Sequence, residues 1–506
     1  MANNPSQTHN SAQAIAKMSS YGTLGGSPEW RSLLPTDITG VNAQTENASH
    51  DTIDPSNQFE AESQVGLTAA PQLRAGFTAE LADVLIPGAL RTQWTGPTAL
   101  NATATRPTSA TSAHFVVPTM GAALPVNTLI YVSGCATAAN NGLKVVSGSP
   151  STTTIPVSGG LTAETFTAAQ NVTIAVCGFQ FASGDATIDE TSGVYTFGCT
   201  AKDATELGLV KGQPIFIGDS SAAAYAFATA ADYGPAIVTS TPTATGFTFA
   251  STFSTFVDDA GTSKTIRLFF GQTCRTVART SGDYAESYYQ IETSVENLAN
   301  ANATQYLYAE NAAINTLTMA FPAAALATIA ADLIATDVTS TGTQRTNAST
   351  PTAAKRTLPY NTTSDISGRI FLSSGGTALT GYITSVNLIV ENNAQPNPAH
   401  GTLGSAITTF GKTRIRAEIN AFLTESGGID AARNNSAVTA NWWIRNGECA
   451  YCFYIPEARL RNGNANFPKG QVVTIDLPLM ANKDATYAAS LIVGKIPGCP
   501  ALPARS

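Results

Sequence analysis

The sequence predicts an all-β protein, and three observations support this class. Charged residues make up only 12% of the 506 residues, well below the usual quarter. Thr, Ser, Asn, Ala and Gly supply the surface instead, and of these Thr suits pleated sheets while Gly and Asn suit turns. Several segments also alternate apolar and polar residues with the period of a half-buried strand. At this length we expect two to four domains.

A polar arm, residues 1–29, precedes the first strands. The segment Leu73 to Leu81 has the period of a strand with one buried face, because Leu73, Ala75, Phe77, Ala79 and Leu81 alternate with Arg74, Gly76, Thr78 and Glu80. The period then changes, since Leu81, Val84, Leu85 and Ala89 fall at helical spacing. We therefore expect one short helix that is strained or ended near Pro87.

Residues 98–268 are rich in Thr, Ser, Gly and Pro and contain short strands at regular spacing. These predicted strands are Thr128–Ser133, Asn171–Val176, Val194–Gly198 and Pro214–Gly218, and the apolar strand Thr265–Phe270 marks the return to the first domain. The spacing is typical of small β-sandwiches. Similar strand patterns on both sides of the midpoint predict two modules, about 98–178 and 179–268.

An internal repeat organises the rest of the chain. Ile38–Asn47 matches Ile383–Asn392 at six of ten positions, and each match is followed at a similar distance by an arginine that opens an alternating strand, Arg74 or Arg416. We infer a duplicated β unit. The first domain is 30–97 plus 269–345, interrupted by the insertion 98–268, and the second is 360–506 after a linker at 346–359.

Charge differs between the two predicted copies. Basic residues outnumber acidic ones after residue 346, whereas acidic residues predominate in 1–97 and 269–345, and the whole chain has a net charge of −8. Opposite signs predict surfaces that meet between copies. The predicted contact loop carries Asp51, Asp54, Glu60 and Glu62 in the first copy and His400 in the second.

The residues of common reaction centres are scarce in this sequence. The four histidines (His9, His50, His114 and His400) lie in the arm or in predicted loops, outside any recognisable nucleophile motif. Cys449 and Cys452 have zinc or redox spacing, but no second ligand pair is near them in the sequence, so we interpret them as small buried thiols. We expect no catalytic residues, metal or cofactor.

Two segment types leave other functions open. Asp185, Asp189 and Glu190, or Asp258 and Asp259, could pair as the carboxylates of a glycan hydrolase. Aromatic residues such as Trp442 and Trp443 could stack on sugars, although core and interface positions are the better explanation for them. A β-rich multidomain adhesin or carbohydrate-binding protein is therefore the alternative to a structural protein. We expect no secretory signal, because the first residues lack an apolar segment, and we expect no bilayer-spanning segment, because no apolar window is long enough.

One resemblance is specific enough to name. Tyr21–Thr36 (YGTLGGSPEWRSLLPT), the strand and helix of Arg74–Trp94, the segment Phe270–Thr273 and the closing half Gly411–Pro497 together resemble the tail tube (major tail) proteins of long-tailed, siphovirus-type bacteriophages. The resemblance implies a β-sandwich or barrel domain that assembles into rings. Stacked rings then form the hollow tube through which the phage genome is delivered.

Family members usually contribute one domain each to a six-domain ring, so two copies in one chain imply a homotrimer with pseudo-sixfold symmetry, or else a true hexamer. The partners would be other copies, tail and neck proteins, and passing double-stranded DNA that is not held tightly. The predicted lumen-lining side chains are Arg74, Thr78, Glu80, Arg414, Arg416, Glu418 and Asn420. The protein would be made in the host cytoplasm and reside in the virion tail, with its insertion projecting outward and dispensable for assembly.

Overall fold

The computed structural model describes most of the chain. The described residues are 11–26, 28–39, 43–49, 62–97, 107–167, 170, 172–219, 225–229, 232–251, 255–297, 303–345, 359–363, 371–374, 377–378, 382–423, 426–447, 449–467, 469–470 and 472–501. They form 35 strands and two α-helices, so the predicted all-β class is confirmed. The internal duplication stays a prediction.

The strands of the first half are short and closely spaced. They are β1 (Ser11–Lys17), β2 (Trp30–Leu33), β3 (Pro35–Thr39), β4 (Gln44–Ser49), β5 (Glu62–Thr68), β6 (Gln72–Gly76), β7 (Ser109–Ala110), β8 (His114–Val116), β9 (Thr128–Ser133), β10 (Gly142–Val145), β11 (Thr154–Pro156), β12 (Glu164–Thr165), β13 (Thr173–Phe181), β14 (Ala186–Thr191), β15 (Val194–Cys199), β16 (Pro214–Ile217), β17 (Gly234–Val238), β18 (Gly246–Ala250), β19 (Ile266–Phe270) and β20 (Gln272–Arg275). The first helix is α1 (Ala79–Leu90).

The strands of the second half include the longest ones. They are β21 (Tyr289–Asn297), β22 (Ala303–Pro322), β23 (Thr328–Ile334), β24 (Asp337–Thr341), β25 (Phe371–Ser374), β26 (Thr377–Ala378), β27 (Tyr382–Glu391), β28 (Ala394–Pro398), β29 (Ser405–Phe410), β30 (Arg414–Phe422), β31 (Ala437–Arg445), β32 (Cys449–Leu460), β33 (Asn464–Asn466), β34 (Thr474–Ala481) and β35 (Ile492–Pro497). The second helix is α2 (Gly427–Arg433).

The chain divides into two compact units. Unit 1 comprises Met1–Gln93, Val277–Tyr360 and Ser385–Ile419, and unit 2 comprises Trp94–Thr276, Asn361–Thr384 and Asn420–Ser506. Neither set of segments coincides with one predicted copy, since each unit takes residues from both. The predicted boundaries rest on the internal repeat and stay a prediction.

Unit 1 is organised by the 20-residue strand β22. Its first half pairs with β21 and β24, and its second half pairs with β23 and β27. A register shift between Ile314 and Thr316 lies near the start of the second half, and a bulge of this kind lets one strand bend and serve two sets of partners. Strand β1, within the predicted arm, lies between β2 and β21.

Helix α1 packs most of its surface into unit 1. Eight of its residues are buried, among them Pro87, which lies inside the helix where the sequence predicted strain or an end. The Tyr289 hydroxyl donates to the Val84 carbonyl at 2.8 Å, which supplies a donor from outside the helix to the turn that the proline disturbs. Gly88 permits this approach, because a Cβ there would lie 2.2 Å from the Tyr289 hydroxyl oxygen.

The predicted strand Leu73–Leu81 is too long. Leu73, Ala75 and Phe77 are buried as expected, but β6 ends at Gly76, Thr78 is the extended N-cap of α1, and Glu80 lies in the first helical turn. Leu81 satisfies both the strand period and the helical period, so the alternation alone could not locate the change.

Unit 2 contains a nine-stranded sheet in the order β10-β9-β13-β19-β16-β17-β18-β15-β14. Two separate cores lie along it, one built from residues between Ala110 and Ile174 and the other from residues between Phe179 and Phe270. A third core joins Leu129, Phe216 and Phe269 to Trp443, Cys452, Ile496 and other residues of the closing half. The insertion thus shares buried surface with the closing strands. Whether assembly can proceed without the insertion stays a prediction.

The two repeat motifs take different paths. Ile38–Asn47 is divided between β3 and β4, whereas Ile383–Asn392 forms one strand, β27, up to Glu391. Each motif strand pairs with a strand that carries the matched arginine, β3 with β6 and β27 with β30. Arg74 lies opposite Asp37, the residue just before the first motif. Arg416 instead contacts Glu391, near the end of the second motif.

Candidate functional site: the polar face of the β22 sheet

The candidate site is one face of the sheet around β22 in unit 1. Strands β3, β6, β23 and β22 pair in this order. Strand β22 also pairs with β27, and β27 pairs with β30. One face of this sheet is apolar throughout. Its buried side chains include Leu73, Ala75, Ile329, Ala331, Leu317, Met319, Val386, Leu388, Ile415 and Ala417.

The opposite face is hydrophilic, and we call it the polar face. The strand register places Asp37 opposite Arg74, Gln72 opposite Asp332, Asp332 opposite Thr316, and Thr316 opposite Glu391. We define the polar face as Asp37, Gln72, Arg74, Asp332, Thr316, Thr318, Glu391, Arg414, Arg416 and Glu418. Its alternation with the apolar face follows from the period of two residues in a strand.

Every arginine of the polar face lies beside a carboxylate. Arg74 is 3.9 Å from Asp332 and donates to the Gln72 side-chain oxygen at 3.0 Å. Glu391 pairs with Arg416 and lies 3.9 Å from Arg414. Arg416 also lies 3.7 Å from Glu418. Three arginines and four carboxylates give this surface a formal charge of −1, and its remaining members are uncharged.

The structure brings together four of the seven predicted lumen-lining residues. Arg74, Arg414, Arg416 and Glu418 share the polar face, although Arg74 and Arg416 are 342 positions apart in the sequence. Asn420 is half-buried further along β30, in unit 2. Thr78 and Glu80 are not on this face, because the chain has already turned into helix α1. Whether the polar face lines a lumen stays a prediction.

The predicted contact loop is described only in part. Glu62 is exposed on β5, where it accepts a hydrogen bond from the Asn47 side chain at 3.3 Å. His400 is exposed in the turn between β28 and β29. Asp51, Asp54 and Glu60 lie outside the described residues. A contact between rings through these residues stays a prediction.

A buried arginine, missed by the sequence interpretation, holds the start of β30 in place. Arg91 is 7% exposed and donates to the Tyr284 hydroxyl at 3.3 Å, to the Gly411 carbonyl at 3.1 Å and to the Thr413 hydroxyl. It also stacks against the Phe410 ring, 5.4 Å from its centroid. Since these partners follow it by 193 to 322 residues, no local pattern could indicate them.

The cysteines are buried thiols. All seven are buried, none forms a disulfide bond, and Cys449 and Cys452 confirm the interpretation made from their sequence. Burial raises the pKa of Cys199 to about 12, with a smaller effect from nearby acidic residues. Burial also raises the pKa of the Cys452 thiol well above its usual range. Such thiols are poor nucleophiles and poor metal ligands.

The other candidate reaction groups have structural partners. Asp259 accepts backbone hydrogen bonds from Thr229 and Gly261, at 3.0 and 2.8 Å, and Asp258 accepts one from Glu190 at 2.6 Å. These contacts fix the loops that carry the carboxylates. Within the described ranges, no group of three or more His, Cys, Asp or Glu side chains is arranged to hold a metal ion.

Comparisons with known proteins add no family assignment. No protein-family model matches the chain, and no curated protein is significantly similar to it. In the part of the chain that the structure describes, no helix is long and apolar enough to cross a membrane. The structure alone thus supports the class of this chain, which is an all-β protein with an ion-paired polar face on one sheet.

Proposed function

We propose that this chain is a structural protein of a phage tail, which polymerises into stacked rings and forms a hollow tube for DNA. The observation that carries the proposal is the polar face, a broad sheet surface with a formal charge of −1 and a carboxylate beside each arginine. No reaction or cofactor is part of the proposal.

A tube wall for DNA must be wetted by water and must not hold phosphates. Proteins that bind duplex DNA tightly do so by neutralising many phosphates with free Lys and Arg side chains. On the polar face the arginines are already neutralised, and Thr316 and Thr318 offer only uncharged hydroxyls between them. Duplex DNA would pass such a wall without strong retention.

An open sheet edge lies next to the polar face and supports assembly. In the described segments the residue-by-residue register of β3 is with β6, and we infer that its other side presents backbone donors and acceptors. Unpaired strand edges readily pair with another chain, and closing sheets into a ring removes such edges. A neighbouring copy that pairs with β3 would extend the polar face around a bore.

The proposed ring contains three chains if the sequence repeat reflects two equivalent domains, and six if it does not. Ile38–Asn47 is divided between two strands, whereas Ile383–Asn392 forms one strand up to Glu391. The number of chains per ring must therefore be measured. The proposal also includes tail and neck proteins as partners, synthesis in the host cytoplasm and a final location in the virion tail.

Electron microscopy of the purified protein tests the proposal. We expect rings or tubes with an open central channel, and averaged end views give the number of chains per ring. A protein that sediments as a monomer at all concentrations would contradict the proposal. Sugar binding by such a monomer would favour the carbohydrate-binding alternative.

A further inference from the structure

Two exposed apolar patches lie on different units of the chain. The loop patch, in unit 2, consists of Phe422, Phe467 and Val472, which are 36%, 75% and 62% exposed. The Leu423 amide donates to the Val473 carbonyl at 3.0 Å, so the end of β30 lies beside the turn between β33 and β34. Phe422 and Val472 each precede one partner of this hydrogen bond, and Phe467 lies at the other end of the same turn. Exposed apolar side chains that lie together mark interaction surfaces in soluble proteins.

The ribbon patch, in unit 1, consists of Val65, Leu403 and Ile407, which are 59%, 54% and 50% exposed. Val65 lies on β5, which pairs only with β4 among the described strands to form a two-stranded ribbon. A Cβ added at Gly404 would lie 3.9 Å from the Leu67 side chain, so the ribbon runs beside the turn that carries Leu403. Two-stranded ribbons are marginally stable alone and gain stability when one face is covered.

The charges around the two patches are complementary. Every charged residue of β4 and β5 is acidic, namely Glu46 and Glu62, and both are exposed. Near the loop patch, the segment 461–472 contains Arg461 and Lys469 and no acidic residue. These two basic residues outnumber Asp476, which accepts a hydrogen bond from the Asn466 side chain at 3.0 Å. Complementary charge around apolar centres favours one partner orientation over others.

We propose that the ribbon patch of one copy covers the loop patch of a second copy of the same chain. This inference rests on the proposed assembly function and names the surfaces that carry it. A contact between two different patches is heterologous, so each copy keeps one patch of each kind available for the next copy. Such contacts extend an assembly beyond a pair.

Disulfide trapping tests the contact directly. The variants Val65→Cys and Phe467→Cys place thiols on the two patches, and the seven native cysteines are all buried, so the engineered thiols should react first. We expect covalent dimers when the two variants are mixed under mild oxidation. Each variant alone should give few, and Val194→Cys, at a site that is 52% exposed, is the matched control.

Assembly thresholds provide the second measurement. Phe467→Ser should raise the critical concentration for assembly at least about thirtyfold, whereas Val194→Ser should leave it unchanged. Glu62→Lys and Lys469→Glu should each raise it about threefold, and the double charge reversal should restore it.

The outcomes separate this inference from the proposed function. Tubes that form normally with Phe467→Ser, without mixed dimers in the trapping experiment, would overturn the patch contact and leave the tube intact. Dimers of each single variant with itself would indicate a symmetric contact and also overturn the inference. A wild-type chain that never assembles would overturn both.

Discussion

Neutralising the carboxylates of the polar face should create DNA binding where the wild-type protein has little. The double variant Asp332→Asn and Glu391→Gln removes the nearest carboxylate from Arg74 and from Arg414. Arg416 keeps Glu418 at 3.7 Å. The polar face changes from a formal charge of −1 to +1, with two arginines free to contact phosphates.

The expected magnitude follows from counterion release. Each neutralised phosphate contributes about −0.9 to the slope of log K against log salt concentration, so two freed arginines predict a slope near −1.8. The wild-type slope should be close to zero. The Arg74–Asp332 pair is about half exposed, and its loss should cost at most about 1 kcal/mol of folding stability. Glu391 is less exposed, but Glu391→Gln keeps its shape and a side-chain oxygen that can accept hydrogen bonds, so the variant should remain folded.

Fluorescence anisotropy of a short labelled duplex, measured over a salt series, provides the assay. The matched control is Glu206→Gln with Glu457→Gln, because it makes the same charge change and releases Lys202 and Arg459 elsewhere on the surface. Equal binding by both double variants would refute a specific role for the polar face. A steep salt slope in the wild type would refute the argument that its arginines are neutralised.

Four further predictions concern stability and packing. Burial, with smaller effects of Asp259 and Asp258, raises the pKa of Asp232 to about 6; Asp232→Asn should therefore raise the urea midpoint near pH 7.5, and the gain should vanish as the pH falls through about 6 to 4, where wild-type Asp232 becomes protonated. Arg91→Lys should lower the free energy of unfolding by about 2 kcal/mol, measured by urea denaturation, because an ammonium cannot reproduce the contacts of the guanidinium. A thiol reagent should modify none of the seven buried cysteines in the native protein and all of them in denaturant. Deletion of Thr98–Lys264 should cause aggregation and dye binding to exposed apolar surface, because Trp443, Cys452 and Ile496 lose their covering residues.

The alternation of apolar and polar residues in the sequence predicted several strands and the residues that share one face of a strand in the candidate site. Strand β9 has the predicted bounds, and Ile415, Ala417, Ile419 and Ala421 are buried on β30 as their alternation requires. Period-two alternation also identified Arg74 and Arg416 as residues on a polar side. It works here because one face of each strand packs against a core while the other meets water.

The sequence could not predict the arrangement of these strands or the ion pairs between them. Arg74 meets Asp332, and Arg91 meets Thr413, across separations of 258 and 322 residues. Such pairings depend on strand order, which alternation does not encode. Thr78 and Glu80 were misplaced for a different reason, since Leu81 fits a strand and a helix equally well.

The shared core between the insertion and the closing strands changes how the insertion should be interpreted. An insertion that folds independently would have its own core, and the apolar residues of the closing strands would be covered by other residues of those strands. Here Phe216 of the insertion, together with Phe269 just after it, shares a core with Trp443 and Cys452, which are fully buried. At about 25 cal/mol per Å² of buried apolar area, covering even one tryptophan contributes several kcal/mol. The insertion therefore completes unit 2, and a function on its outer surface would have evolved on a segment that the fold already requires.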